Sequence, residues 1–174
     1  RAGPDGRRGS SLGGSGAATD LMWRAGLGAL FVGLLANSAI AACRDDAVFL
    51  RGAWGQARFS IEVAETYLEQ RTGLMNRENM ASASGMLFVY DTLRPLSFWM
   101  RNTLIELDML FIDSRGIVTN IHHRAQPHDE TPIDGGVGIA VLEINGGLAK
   151  SMGISVGTEL RHNSFQKGDP AWAC

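Results

Sequence analysis

The stretch LDMLFIDSRGIVTNIHH, from Leu107 to His123, decides the fold. Two apolar-rich runs, Leu107–Asp113 and Gly116–His123, meet at the turn sequence Asp-Ser-Arg-Gly. Asp favours the start of such a turn because its side chain bonds to the amides that follow, and Gly accepts backbone angles that other residues avoid. The stretch therefore predicts two antiparallel strands joined by a hairpin turn.

Further strands are predicted on both sides of this hairpin. The segment Ala57–Ala64 alternates apolar and polar residues, as a strand with one buried face does. The other predicted strands are short apolar-rich runs: Gly85–Asp91, Leu96–Met100, Ala140–Asn145 and Thr158–His162.

Two short helices complete the predicted fold. Thr66 and Glu69 fit a capping box, so we expect a helix at Tyr67–Gly73 that Gly73 can terminate. Gly147–Gly153 predicts the second helix. Because strands outnumber helices and no βα unit repeats, we expect an α+β fold with a mostly antiparallel, strongly curved or barrel-like sheet.

The first 42 residues have the composition of segments outside the fold. Arg1–Leu21 is rich in Gly, Ser, Ala and Arg without an apolar period, so it is interpreted as a non-native or disordered extension. Met22–Ala42 has the basic start, short apolar run and small-residue end of a signal peptide. The apolar run is shorter than the about 20 residues that a membrane span needs. We therefore expect residues 43–174 to form a single globular domain, periplasmic or secreted.

The two cysteines stand at the two ends of the expected mature chain, Cys43 and Cys174. In an exported protein such a pair favours a disulfide. The alternative is a lipoprotein anchored at Cys43, because Ile40–Cys43 loosely matches the aliphatic-x-small-Cys pattern of lipid attachment. Since lipidation would leave Cys174 alone, we expect the disulfide.

The charge of the chain argues against nucleic acid as a partner. The net charge is −2 at pH 7, and loss of residues 1–42 would remove four arginines and two aspartates, leaving −4. Binding to phosphates needs a basic face. We expect no nucleic-acid partner, no membrane span in the mature chain and no cofactor. The expected protein is a monomer whose partner is a small polar ligand or an envelope component.

Five segments carry a family resemblance, and they occur in one order along the chain. They are GLMNR at 73–77, GMLFVY at 85–90, FWMRNT at 98–103, LDMLFID at 107–113 and VLEINGG at 141–147. Together they resemble the family named domain of unknown function 192, over roughly Phe59 to Arg161. The resemblance implies a compact, β-rich fold in an often exported single-domain protein, and it implies no activity.

Trp99, Asn102 and Thr103 are the first candidate ligand-binding residues. An aromatic ring can stack on a small polar molecule while Asn and Thr supply directional hydrogen bonds. Asp108 lies between apolar neighbours, where a charge needs a partner, and Arg77 is the cation expected beside it. The alternative is structural: Trp99 fills the core, and the polar residues satisfy backbone groups or fix the fold.

The expected function is a non-catalytic binding module for a small polar or glycan-derived ligand or an envelope partner. The sequence contains no G-x-S-x-G, H-E-x-x-H or Walker motif. One alternative is a periplasmic Cu(I)-binding protein using Met75, Met86, Met100 and His122, because thioether and imidazole ligands select Cu(I). A second alternative is a hydrolase that uses Asp108 with His122.

Overall fold

The computed structural model describes residues 43–174, which contain seven strands, two α-helices and one short 3-10 helix. The strands are β1 (Ala47–Gly52), β2 (Gly55–Ala64), β3 (Ser84–Phe98), β4 (Leu107–Ile112), β5 (Val118–Ala125), β6 (Ile133–Asn145) and β7 (Glu159–Arg161). The helices are α1 (Tyr67–Thr72) and α2 (Leu148–Met152), and the 3-10 helix spans Asn163–Phe165. The predicted extension and signal peptide, Arg1–Leu21 and Met22–Ala42, lie outside the described residues.

All seven strands belong to one sheet, in the order β5-β4-β6-β3-β2-β1-β7. Every neighbouring pair is antiparallel except β2 and β3, which are parallel and are connected through α1. The sheet curls strongly into a half-barrel. An isolated bridge between Ile117, just before β5, and Glu159 of β7 links its two ends. The predicted α+β class and the curved, mostly antiparallel sheet are confirmed.

The central strands are buried on both faces. In β4 and β6, Leu110 and Leu142 pack into a first core, whereas Met109 and Val141 pack into a second core on the other face. This division follows from the strand period, because successive side chains point to opposite faces. The first core also includes Ala149 from α2, and a polar residue in β4 or in residues 140–144 of β6 therefore has no solvent side to occupy.

The local turn and cap predictions are confirmed. In the hairpin, Asp113 Oδ1 accepts from the amides of Arg115 and Ile117, both at 2.9 Å. At α1 the capping box forms, and the helix ends at Gly73. These features need only residues within a few positions of one another, so the sequence alone determines them.

Three strand predictions differ from the structure. Gly85–Asp91 and Leu96–Met100 are parts of one long strand, β3, whose register with β6 shifts between Val89 and Arg94. Strand β6 starts at Ile133, inside a segment whose Pro and Gly residues suggest a loop. Strand β1 was not predicted. The joining of two segments in β3 and the early start of β6 depend on pairing between distant segments, which a local pattern does not contain. Strand β1 instead forms a hairpin with the adjacent β2, which the prediction missed.

The disulfide between Cys43 and Cys174 is confirmed, with 5.4 Å between the two Cα atoms. A bridged Cys43 has no free thiol for lipid attachment, so the bridge disagrees with the lipoprotein alternative. Among residues 43–174, no helix has the length and apolar character needed to cross a membrane.

Candidate functional site

A small cleft opens beside the second core, between the end of α1, the end of β3 and strand β6. Its volume is about 100 Å³, and a water-sized group needs roughly 10–15 Å³ of such space. The cleft therefore has room for about seven to ten such groups. It is smaller than typical pockets for drug-sized ligands, whose volumes are about 300–1,000 Å³.

Glu143 lies at the floor of this cleft. The residue is on β6 opposite Met86 of β3 and Met109 of β4, and it is 4% exposed. Among residues 43–174, no hydrogen bond or ion pair involves its side chain. Burial raises the pKa of the Glu143 carboxyl to about 8, because the ionised form loses its hydration. At neutral pH the carboxyl is therefore protonated.

The sequence gives no clear signal for the burial of Glu143. In VLEIN at 141–145, Leu142 and Ile144 share one strand face and Glu143 shares the other with Val141 and Asn145, an alternation equally typical of a strand with one solvent face. Asp108 was identified as a buried carboxylate from its apolar neighbours. Burial alone does not distinguish a carboxyl with a backbone partner from one that faces a cleft, so the structure was needed to separate them.

Aromatic rings form one wall of the cleft. Phe88 and Phe98 meet edge to face, with ring centroids 5.1 Å apart, and Trp99 follows directly and is 47% exposed. Tyr90 also lines the cleft, and burial raises the pKa of its hydroxyl, with Arg94 opposing the rise. The wall is apolar, and the Tyr90 phenol stays neutral. Among the described residues that line the cleft, the positive charges therefore come from arginine.

Two arginines, Arg71 and Arg101, line the cleft. Arg71 Nη1 donates to the Tyr67 hydroxyl at 2.8 Å, and no ion pair involves Arg71 in the described part of the chain. Arg101 Nε lies 4.0 Å from Glu130 Oε1, and its guanidinium stands 5.7 Å from the centroid of the Trp99 ring. Both guanidinium groups keep most of their hydrogen-bond donors free.

Gly73 allows the end of α1 to approach the aromatic wall. Its φ is 48°, and a Cβ atom there would stand 3.1 Å from the Phe88 ring. Glycine is the residue that adopts this φ without a side-chain clash. The helix end can therefore border the cleft at close range.

The structure brings two of the five predicted site residues together in the cleft, Trp99 and Thr103. Thr103 is buried, and its hydroxyl donates to the carbonyl of Arg101 at 3.3 Å. Asn102 lies in the turn between them with φ 54°, and its carbonyl accepts from the Asn76 amide at 2.8 Å. Asn102 is exposed and does not line the cleft.

The other two predicted residues lie elsewhere. Arg77 forms a two-point ion pair with Glu62, with N–O distances of 2.6 and 2.5 Å. Asp108 is fully buried on the face of β4 opposite the second core, and its partners are backbone amides. The expected pairing of Asp108 with an arginine side chain is therefore wrong, because the amides of Arg124, Gly147 and Ala149 supply donors that need no second charge.

The conformation of Asn102 leads to a testable prediction. We expect Asn102→Ala to lower the free energy of unfolding by about 1 kcal/mol, because alanine adopts a positive φ less readily than asparagine does. Asn102→Gly should cost less, and denaturant unfolding of both variants measures the difference. Equal losses in the two variants would show that the Asn side chain, and not the backbone angle, carries the effect.

The residues of the copper alternative are dispersed. Met86 and Met100 are buried in the second core, and Met75 lines the cleft. His122 is exposed and lines a separate groove with Asp129. Within residues 43–174, no three His, Cys, Asp or Glu side chains are grouped closely enough to hold a metal ion.

The hydrolase alternative named the wrong histidine as the neighbour of Asp108. His123 Nδ1 lies 3.8 Å from Asp108 Oδ1, whereas His122 points away because adjacent strand residues face opposite sides. The carboxylate oxygens of Asp108 already accept three amide hydrogen bonds, so they are engaged in holding the backbone.

Comparison with known proteins identifies relatives of this chain. Residues 50–162 match the model of the DUF192 family, described as "Uncharacterized ACR". A Sinorhizobium meliloti 1021 structure, described as a candidate transcription regulator, is 40% identical with a TM-score of 0.65, covering 68% of this chain and 94% of the other. A Novosphingobium aromaticivorans protein of unknown function is 40% identical with a TM-score of 0.65, covering 70% and 88%. No curated protein matches significantly.

Proposed function

We propose that this chain, which belongs to the DUF192 family, is a non-catalytic module. Its cleft binds a small polar, glycan-derived ligand. The observation that carries the proposal is Glu143, a buried carboxyl at the cleft floor whose side chain has no partner within the described residues. Its oxygen atoms reach the cleft, because Arg161 Nε is the only fully buried side-chain polar atom without a partner among residues 43–174. A ligand in the cleft can therefore form a hydrogen bond with the Glu143 carboxyl.

The chemistry of the walls supports a sugar-like ligand. Trp99 presents a broad, half-exposed ring, on which the apolar face of a sugar can stack. Thr103, Arg101 and Glu143 add polar groups around that ring. A mostly apolar wall with a few placed polar groups is typical of sites that recognise small molecules.

The arrangement supports binding more than hydrolysis. Most glycoside hydrolases use two carboxyl groups, one on each side of the scissile bond. Among the described residues that line the cleft, Glu143 is the only carboxyl. A single acid can position a ligand, but it lacks the second carboxylate that would activate water or attack the sugar.

We also propose that the protein acts outside the cytoplasm, after removal of a signal peptide. The disulfide between Cys43 and Cys174 supports this location, because disulfides persist in oxidising compartments. A role in transcription, the description given to the S. meliloti structure, would favour a basic surface. The chain has 18 acidic and 16 basic residues, which supports a partner other than nucleic acid.

The test is calorimetric titration of the purified domain with glucose, N-acetylglucosamine and glucuronate. We expect Trp99→Ala to weaken binding of the bound sugar by about tenfold, the upper end of what aromatic stacking contributes. Leu104→Ala is the matched control, because Leu104 is also exposed and lies outside the cleft lining. Absence of binding, or binding that Trp99→Ala leaves unchanged, would refute the proposed function.

A further inference from the structure

We infer that the ligand of the cleft carries a carboxylate, and that it belongs to the uronic acids, sugars whose terminal carbon is a carboxylate. This inference rests on the proposed function and specifies its ligand class. It follows from the charges around the cleft.

The two arginines of the cleft differ from two other arginines, Arg77 and Arg124, which already have glutamate partners. Arg77 and Arg124 each lie within 2.7 Å of a glutamate oxygen, so their charges are already paired. Arg101 reaches Glu130 only at 4.0 Å, and Arg71 is held by a neutral tyrosine hydroxyl. The planar guanidinium group matches a carboxylate with two parallel hydrogen bonds. Arg71 and Arg101 are therefore available to bind a carboxylate.

The floor of the cleft is compatible with an anion. Glu143 is protonated at neutral pH, because its pKa is raised to about 8 by burial. A protonated carboxyl donates a hydrogen bond, which an anionic oxygen can accept, whereas an ionised carboxyl would repel that anion. The charged or titratable groups that face it are Arg71 from the end of α1, Arg101 from the turn after β3, and Tyr90 from β3. Their sum is positive at neutral pH.

The aromatic wall distinguishes a uronic acid from a simple carboxylate. Phe98 and Trp99 offer apolar surface that acetate or phosphate cannot cover. A pyranose ring has an apolar face for the wall and hydroxyl groups for Thr103, while its carboxylate faces the arginines. The volume of about 100 Å³ is smaller than a whole uronic acid, so the carboxylate end occupies the cleft and the rest of the ring lies against the half-exposed Trp99.

The experiment compares glucuronate with glucose, which differ only in the carboxylate at the terminal carbon. At pH 7 and low salt, we expect glucuronate to bind at least about tenfold more tightly, since a charged hydrogen bond contributes that much or more. Arg71→Gln and Arg101→Gln should each lower the ratio of glucuronate affinity to glucose affinity about tenfold. Inorganic phosphate, which lacks the ring, should bind more weakly than glucuronate.

The pH dependence supplies a second measurement. Glucuronate affinity should be constant between pH 6 and 8, and it should fall about tenfold per unit above pH 8, because Glu143 must then be reprotonated to bind. Glu143→Gln keeps a neutral donor of the same shape, so its affinity should stay flat above pH 8. Thermal unfolding of each variant establishes that it is folded.

The outcomes separate the inference from the proposed function. Equal binding of glucose and glucuronate, or tight binding of N-acetylglucosamine alone, would overturn the carboxylate inference and leave the binding module standing. An unchanged fall in affinity above pH 8 in Glu143→Gln would also overturn it. If no sugar of the panel binds in a Trp99-dependent way, the proposed function itself fails.

Discussion

Reduction of the Cys43–Cys174 disulfide is expected to lower the free energy of unfolding by up to about 5 kcal/mol, as the chain-entropy model assigns to so long a loop. The bridge joins residues separated by 131 positions, so it encloses the whole described part of the chain. In the reduced protein the two ends of the unfolded chain move independently, so the unfolded state gains conformational entropy. The effect acts on the unfolded state, and the folded sheet should persist at room temperature.

Locally, the bridge holds the C-terminal segment against the sheet. The Trp172 ring packs against the guanidinium groups of Arg51 and Arg161, which stand 4.5 and 4.8 Å from its centroid. The amide of Ala171 donates to the carbonyl of Arg115 at 2.9 Å. These contacts are few and partly exposed, so we expect the segment to detach first after reduction and to become accessible to proteases.

The measurement is thermal and denaturant unfolding with and without reductant, with thiol titration to show that two thiols have appeared. The matched control is the double variant Cys43→Ser and Cys174→Ser, whose midpoint should equal that of the reduced protein and should not respond to reductant. An unchanged midpoint in fully reduced protein would show that the bridge contributes nothing to stability.

Local chemistry explains which parts of the fold could be predicted. The hairpin turn at Asp113 and the capping box of Thr66 and Glu69 involve residues at most four positions apart, and both form as the sequence indicates. The joining of two predicted strands into β3 depends on pairing with β6, about 50 residues later along the chain. No short window of sequence contains that partner.

In the candidate site, too, residues close together in sequence were predicted and residues from distant segments were missed. Trp99 and Thr103 lie in one short stretch of sequence, and both line the cleft. Glu143 and Arg71 reach it from distant parts of the chain, and only the folded sheet brings them to the same place. The burial of Asp108 was predictable from its neighbours, but its partners are backbone amides, which every residue except proline possesses and which no sequence pattern identifies.

The second large effect concerns Asp108, and we expect Asp108→Ala to lower the free energy of unfolding by at least about 3 kcal/mol. Its Oδ1 accepts from the amides of Arg124 and Gly147 at 2.8 and 2.9 Å, and its Oδ2 accepts from the amide of Ala149 at 2.7 Å. Alanine would leave three amides without an acceptor, and each unsatisfied buried donor costs about 1–3 kcal/mol.

These three bonds connect distant parts of the sheet. The partners lie 16, 39 and 41 residues from Asp108, at the end of β5 and at the start of α2. Gly147 precedes α2 and has no side chain to cap the helix, so Asp108 provides the acceptor from a neighbouring strand. Its loss should therefore loosen α2 as well as the β4–β5 pair, which hydrogen exchange can detect.

Two matched variants separate the amide bonds from the contact with His123. Asp108→Asn keeps one oxygen, which can satisfy the two amides at the Oδ1 position, so it should cost about half as much as Asp108→Ala. His123→Ala should cost less than 1 kcal/mol, because that side chain is 44% exposed and lies 3.8 Å from Oδ1. Denaturant unfolding at pH 7 measures all three. A larger loss in His123→Ala than in Asp108→Asn would mean that the ion pair dominates.

The Asp108 variants also test the separation of the two faces of the sheet. Asp108 faces the side of the first core, whereas Glu143 faces the second core and the cleft. Asp108→Asn, at a temperature where it is folded, should therefore bind glucuronate as the unmodified protein does. A loss of affinity equal to that of Trp99→Ala would show that Asp108 and the cleft form one site, because strand alternation alone does not couple opposite faces.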